Sequence, residues 1–217
     1  MSSDPHSDAP SPAADAPPAD AAPEPPSDAE LIRERGQDLL DALEARLPGS
    51  IEHAEATASW ALGIAAELGL SRETALAVRE TARLHGIGLI YAEADLAIRD
   101  EAQLTEDERR RLDDQAGAAA RLAAGADLPG TACVWLEHSR EHFEGGGPKR
   151  LYGGAIPLES RIIRTACAYA GEIGEGEPDY EAALERLGAR AGTELDPATI
   201  GAIAFVLDRS TGKAGGG

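Results

Sequence analysis

From Ser27 to Arg209 the chain is punctuated by helix starts and stops, and no segment alternates apolar and polar residues as a half-buried strand would. Ser27 and Glu30 form a capping box for a first helix running through Leu47, where Pro48-Gly49 stops it. Ser50 caps a second helix whose apolar positions Ile51, Ala54, Ala58, Ala61, Leu62, Ala65 and Leu68 follow the helical period, and Gly69 ends it. Ser71 starts a third, with Leu76, Val78, Ala82 and Leu84 leading to His85. Thr105 and Glu108 make another capping box before an Arg- and Ala-rich helix to about Ala124. A helix is predicted from Pro129 to about His142, then a loop containing Gly145-Gly146-Gly147-Pro148. Three more follow over 157–173, 179–191 and 197–209, with Pro157 and Pro197 in first-turn positions. Aromatic residues make up only 4 % of the chain, while alanine lifts the apolar share to 42 %. That balance suits many small helix–helix contacts and not a β-sandwich. The fold class is all-α.

Residues 1–27 hold eight of the 14 prolines, five acids and no Lys or Arg. Nothing there can repay the entropy of ordering, so an acidic, Pro/Ala-rich disordered tail is expected. Residues 211–217 read as a flexible Gly-rich end, which leaves 28–210 as one helical domain. With 20 basic against 39 acidic residues the formal charge is −19. Such a chain is repelled by nucleic acid phosphates and anionic bilayers, so neither is an expected partner. No run approaches the length of a membrane span, and the first thirty residues lack the basic start and apolar core of a secretion signal. Cys133 and Cys167 read as free thiols of a reducing, cytoplasmic compartment.

Chemistry, where the sequence offers any, lies in the histidines. His6 falls in the tail; His53, His85, His138 and His142 fall on or near predicted helices. Imidazoles on converging helices are what a metal site in a bundle core uses, although isolated helical histidines usually serve the surface or core. Only His138 and His142 have the i, i+4 spacing of one helical face. There is no Gly-x-Ser-x-Gly elbow and no phosphate-cradling Gly-x-x-x-x-Gly-Lys loop. The most basic stretch is 140–164, where Arg140, Lys149, Arg150, Arg161 and Arg164 stand against Glu141, Glu144 and Glu159. A weak anion-binding patch of Arg140, Lys149, Arg150 and Arg161 is one reading, and ordinary surface pairing with Arg161 anchoring a helix start is the other.

The order of short strings adds what single residues lack. His53 precedes Ala82-Arg83-Leu84-His85-Gly86-Ile87-Gly88-Leu89; Leu104-Thr105-Glu106-Asp107-Glu108-Arg109 follows, then Glu137-His138. Phe143-Glu144-Gly145-Gly146-Gly147-Pro148 comes next, and after it Ile156-Pro157-Leu158-Glu159-Ser160-Arg161-Ile162-Ile163. Over about residues 50–210 this progression resembles the HD-GYP family of bacterial cyclic di-GMP phosphodiesterases. The resemblance implies an HD-domain-like helical bundle, with a two- or three-iron site whose bridged hydroxide attacks phosphorus. His53 and His85 match the family's ligand positions. The name-giving aspartate is Gly86, however, the phosphate-meeting lysine is Leu89, and a further ligand histidine is Gln115. The later aspartate ligand is Cys167, the Gly-Tyr-Pro triplet is reduced to Gly147-Pro148, and the nucleotide-holding basic segment gives way to Glu172, Glu175 and Glu177.

A degenerate member is therefore expected, without catalytic residues, acting as a signalling regulator or scaffold through a protein partner or homodimer. Cyclic di-GMP binding is expected to be weak or absent. Two alternatives stand: a metal-dependent phosphohydrolase with a reduced site, and a cyclic-dinucleotide receptor without turnover. No cofactor is expected on the first reading. A residual site of His53, His85, Cys167 and one of His138 or His142 would suit a single zinc, or an iron, ion. Against that site, Cys167 lies between Ala166 and Ala168 and also reads as a small buried hydrophobe.

Overall fold

The computed structural model describes residues 25–92, 103–173 and 179–210. The tail expected over 1–27, apart from its last three residues, and the Gly-rich end over 211–217 lie outside the described residues. The helices are α1 (Asp28–Arg46), α2 (Ser50–Glu67), α3 (Arg72–Arg83), α4 (Glu106–Asp113), α5 (Gln115–Gly125), α6 (Gly130–Glu137), α7 (Leu158–Ile173), α8 (Tyr180–Gly188) and α9 (Pro197–Ser210). Short 3₁₀ turns occupy Ile87–Tyr91 and Gly153–Ala155. No strand occurs among the described residues, only an isolated bridge between Ala191 and Leu195. No described helix is long and apolar enough to cross a membrane.

Both capping boxes form as the sequence predicts: Ser27 with Glu30 opens α1 and Thr105 with Glu108 opens α4. Ser71 caps α3 by accepting from the Thr74 N–H at 3.1 Å. Three expectations need correction. Ser50 does not cap α2; the Glu44 carboxylate reaches across the turn and accepts from the N–H groups of Gly49 and Ile51, each at 2.9 Å. The helix expected from Thr105 to Ala124 is broken at Asp114 into α4 and α5. The helix expected to reach His142 ends at Glu137, because its continuation is bound elsewhere. The buried Glu141 carboxylate accepts from the N–H groups of Lys149 (2.6 Å) and Leu151 (3.1 Å). Phe143 and Glu144 donate to the carbonyls of Glu194 and Thr193. These bonds replace the helical ones that 138–144 gives up. The glycine run is fixed by the same clamp: a Cβ on Gly147 would stand 2.6 Å from the Glu141 Cα.

α2 is the central helix, packed against α3, α7, α9 and α1. Its buried face is built of small residues, Ala54, Ala58, Ala61 and Ala65, which lets neighbouring helices approach closely. Trp60 of α2 meets Tyr169 of α7 edge to face, with ring centroids 4.8 Å apart. The link Leu68–Ser71 between α2 and α3 is short, so the two helices form a hairpin and return the end of α3 to the start of α2. α7 lies across the same helix. Three distant stretches of sequence therefore share one end of the bundle.

Candidate functional site

His53 stands in the first turn of α2, His85 just past the end of α3 and Cys167 in the middle of α7. Their ligand atoms all lie within 4.8 Å of one another. The Cys167 Sγ is 3.8 Å from His53 Nε2, and the two imidazoles sit edge to face with centroids 5.2 Å apart. His85 Nδ1 lies 2.8 Å from the Ala82 carbonyl, which can only accept, so Nδ1 carries the proton and Nε2 is left for the cluster. Burial pushes the Cys167 thiol up, but the neighbouring His85 and His53 rings more than offset this and hold it well below its ordinary range. Burial likewise disfavours a charged His85, and the Cys167 sulfur outweighs it, so the imidazole is raised.

The cluster lines a cleft of about 510 Å³ between the first turn of α2, the end of α3, α5 and α7. Leu43, Leu47, Leu89, Leu112 and Ile163 form its apolar wall; Arg83, Arg140 and Arg164 form its cationic one. Among the described residues, no aspartate or glutamate lines it. Each arginine is matched from behind: Arg83 by Glu55 (2.6 Å) and Glu80 (3.1 Å), Arg140 by Asp113 (2.9 Å), and Arg164 by Glu194. Gln115 also lines the cleft, and its side-chain oxygen is buried without a hydrogen-bond partner.

The other residues singled out in the sequence lie elsewhere. His138 is the C-terminal cap residue of α6, is not a member of the His53–His85–Cys167 group and does not line the cleft. With α6 ending at Glu137, His138 and His142 share no helical face. Burial, with the nearby Arg164, lowers the His142 imidazole below its usual range. Of the expected anion-binding residues only Arg140 faces the cleft. Lys149 pairs with Glu137 at 3.0 Å, and Arg150 is an exposed loop residue. Arg161 donates to the Ile156 carbonyl (3.0 Å) and pairs with Asp196, so it anchors the start of α7. Arg83 and Ser139 complete the cleft without having been read from the sequence as site residues.

This donor set does not fit a carboxylate-bridged iron pair. Two imidazoles and a thiol converge, Gly86 has no side chain beside His85, and among the described residues no carboxylate enters the cluster.

An all-helical bundle with paired imidazoles at the meeting of α2 and α3 defines a class, and the chain belongs to it: it is a member of the HD domain family, matched over residues 38–199. Within that family its likeness is to the HD-GYP proteins. It is 31 % identical over 182 residues to the cyclic di-GMP phosphodiesterase response regulator RpfG of Xanthomonas campestris, covering 80 % of this chain and 48 % of that protein. It is 30 % identical over 124 residues to the cyclic di-GMP phosphodiesterase PdeB of Borreliella burgdorferi, covering 57 % of this chain and 32 % of the relative. This chain thus spans half or less of the length of either. The fold is shared with Bd1817, an HDG"Y"P protein of Bdellovibrio bacteriovorus, at a TM-score of 0.64 and 15 % identity, over 73 % of this chain and 52 % of that one.

Proposed function

We propose that this chain is a non-hydrolysing HD-GYP-like domain, acting in the cytoplasm as a signalling regulator through protein contacts. The observation that carries this reading is that, among the described residues, no carboxylate lines the cleft that holds His53, His85 and Cys167. Hydrolysis of a phosphodiester by bridged metals needs ions held close together, and a shared carboxylate is what neutralises and spaces them. With Gly86 and Cys167 where the HD-GYP resemblance expects aspartates, that bridge has no donor. Leu89 supplies apolar wall where a lysine would meet phosphate, and the cleft arginines are matched by Asp113, Glu194, Glu55 and Glu80. Phe205, 63 % exposed on α9, offers an aromatic surface for a protein contact.

The test is turnover of cyclic di-GMP by the purified chain with iron, manganese or zinc supplied. The expected result is no linear dinucleotide or GMP above a buffer control. Metal-dependent product that vanishes in His85→Ala overturns the reading and favours the second one, a phosphodiesterase with a reduced metal site, to which the convergence of three donor atoms lends support. A calorimetric titration of the same sample with cyclic di-GMP separates the remaining alternative. Tight binding without turnover would make the chain a receptor, held by the arginine wall of the cleft.

A further inference from the structure

We infer that His53, His85 and Cys167 form a mononuclear site for a soft divalent ion, zinc above all, and that the ion acts as a staple between helices. The inference goes beyond the absence of hydrolysis and does not rest on it. Its basis is the donor chemistry. A thiolate and two imidazoles suit zinc and disfavour the harder, carboxylate-rich environment of a bridged iron pair. Metal–nitrogen and metal–sulfur bonds of ordinary length place tetrahedral ligand atoms about 3.3–3.6 Å apart. The Cys167–His53 separation of 3.8 Å is close to that, and the full spread of 4.8 Å closes with side-chain adjustments of about an ångström. His85 is preset for the task. Its Nδ1 proton is held by the Ala82 carbonyl, the outer hydrogen bond that orients a ligating imidazole and leaves Nε2 to bind.

A second observation points the same way. The buried Gln115 side-chain oxygen, on the wall of the same cleft, has no hydrogen-bond partner. An oxygen without a partner costs free energy, and a water or an ion held in the same cleft would give it one. Zinc binding exchanges the Cys167 thiol proton for the metal and releases that proton to buffer. Because the three ligands come from α2, the end of α3 and α7, an ion held by all of them ties together helices that are far apart in sequence. A ligand that binds only the folded state raises its stability by mass action.

The experiment is cobalt(II) and zinc(II) addition to the apo full-length chain, read by absorbance and by thermal melting. Equimolar cobalt with a near-ultraviolet thiolate-to-cobalt charge-transfer band is expected, displaced by zinc, together with a zinc-dependent rise in melting temperature. Cys167→Ser, checked for helicity by circular dichroism, should lose the band and the rise. Cys133→Ser should keep both, because Cys133 is not a member of the cluster, its sulfur lying 3.9 Å from the Leu128 carbonyl oxygen. No charge-transfer band in the wild-type chain, or a band that survives Cys167→Ser, overturns the inference. The band is read without substrate, so its absence leaves the turnover result standing, and turnover leaves the band standing.

Discussion

Glu194 lies between the guanidinium groups of Arg164 and Arg190, the latter gripping both carboxylate oxygens at 2.6 and 2.9 Å. Burial alone would raise its carboxyl, but Arg164 and Arg190 hold it at about 2, against an ordinary 4.5. A folded-state value below the unfolded one means stabilisation that is complete above the unfolded value and fades as the pH falls from about 4.5 toward about 2. Glu194→Gln should therefore cost about 2–3 kcal/mol at neutral pH, with wild type and variant converging near the acid end of that window. Urea melts across the range check it, and a deficit that stays constant with pH would mean that packing, not charge, is lost. The loss should also reach the cleft, because Arg164 on its wall would lose its pairing with Glu194. Much of the site at this scale was legible. His53 and His85 stand out through the order of motifs, and Gly86 shows the missing carboxylate directly. Cys167 was ambiguous because one small residue between two alanines reads alike as filler or ligand. Only the packing of α7 on α2 brings its sulfur to His53. Arg83 has no local signal at all: which face of α3 meets the cleft is a tertiary fact.

The 3₁₀ turn Ile87–Tyr91 brings Leu89 to the apolar wall of the cleft, and its glycine is what lets it seat. A Cβ on Gly88 would fall 2.1 Å from the Gln115 carbonyl oxygen and 3.1 Å from the Ala119 nitrogen. Both are backbone atoms of α5 and cannot swing away as a side-chain end does. Gly88→Ala should cost about 3 kcal/mol and separate the turn from α5. Gly86→Ala, two residues earlier, is the control. Its φ of −89° suits any residue, and the added Cβ would meet Leu43 at an ordinary 3.4 Å. It should stay within about 1 kcal/mol of wild type. Thermal melts of the two variants decide, and equal losses would contradict the close seating of the turn. Helix existence was legible because caps and apolar period are local: Ser27, Ser71 and Thr105 all act where the sequence places them. Helix ends were less so. Glu44 takes the cap expected of Ser50, and Glu141 draws its segment off α6 to clamp 149–151, and both choices depend on partners from outside the helix.

Across the whole molecule, the excess of 39 acidic over 20 basic residues sets the balance of surface forces. Five of those acids lie in 1–27, so most of the excess belongs to the rest of the chain. Many of the arginines there are committed to partners: Arg79 and Arg83 to Glu55 and Glu80, Arg140 to Asp113, Arg186 to Glu172, and Arg164 and Arg190 to Glu194. Several of these pairs are half-buried or better, where salt screens them weakly, whereas unmatched surface acids repel one another through solvent and are screened fully. Added sodium chloride should thus relieve more repulsion than attraction. The expected outcome is a melting temperature that climbs by a few degrees between low salt and about 0.5 M, steepest at the start, where the screening length changes most. Potassium chloride should do the same, because the effect comes from ionic strength and not from a bound ion. A melting temperature that falls with salt would mean that the ion-pair network outweighs the acidic excess, and charge reversal of surface glutamates would then destabilise the fold where this balance has it stabilise.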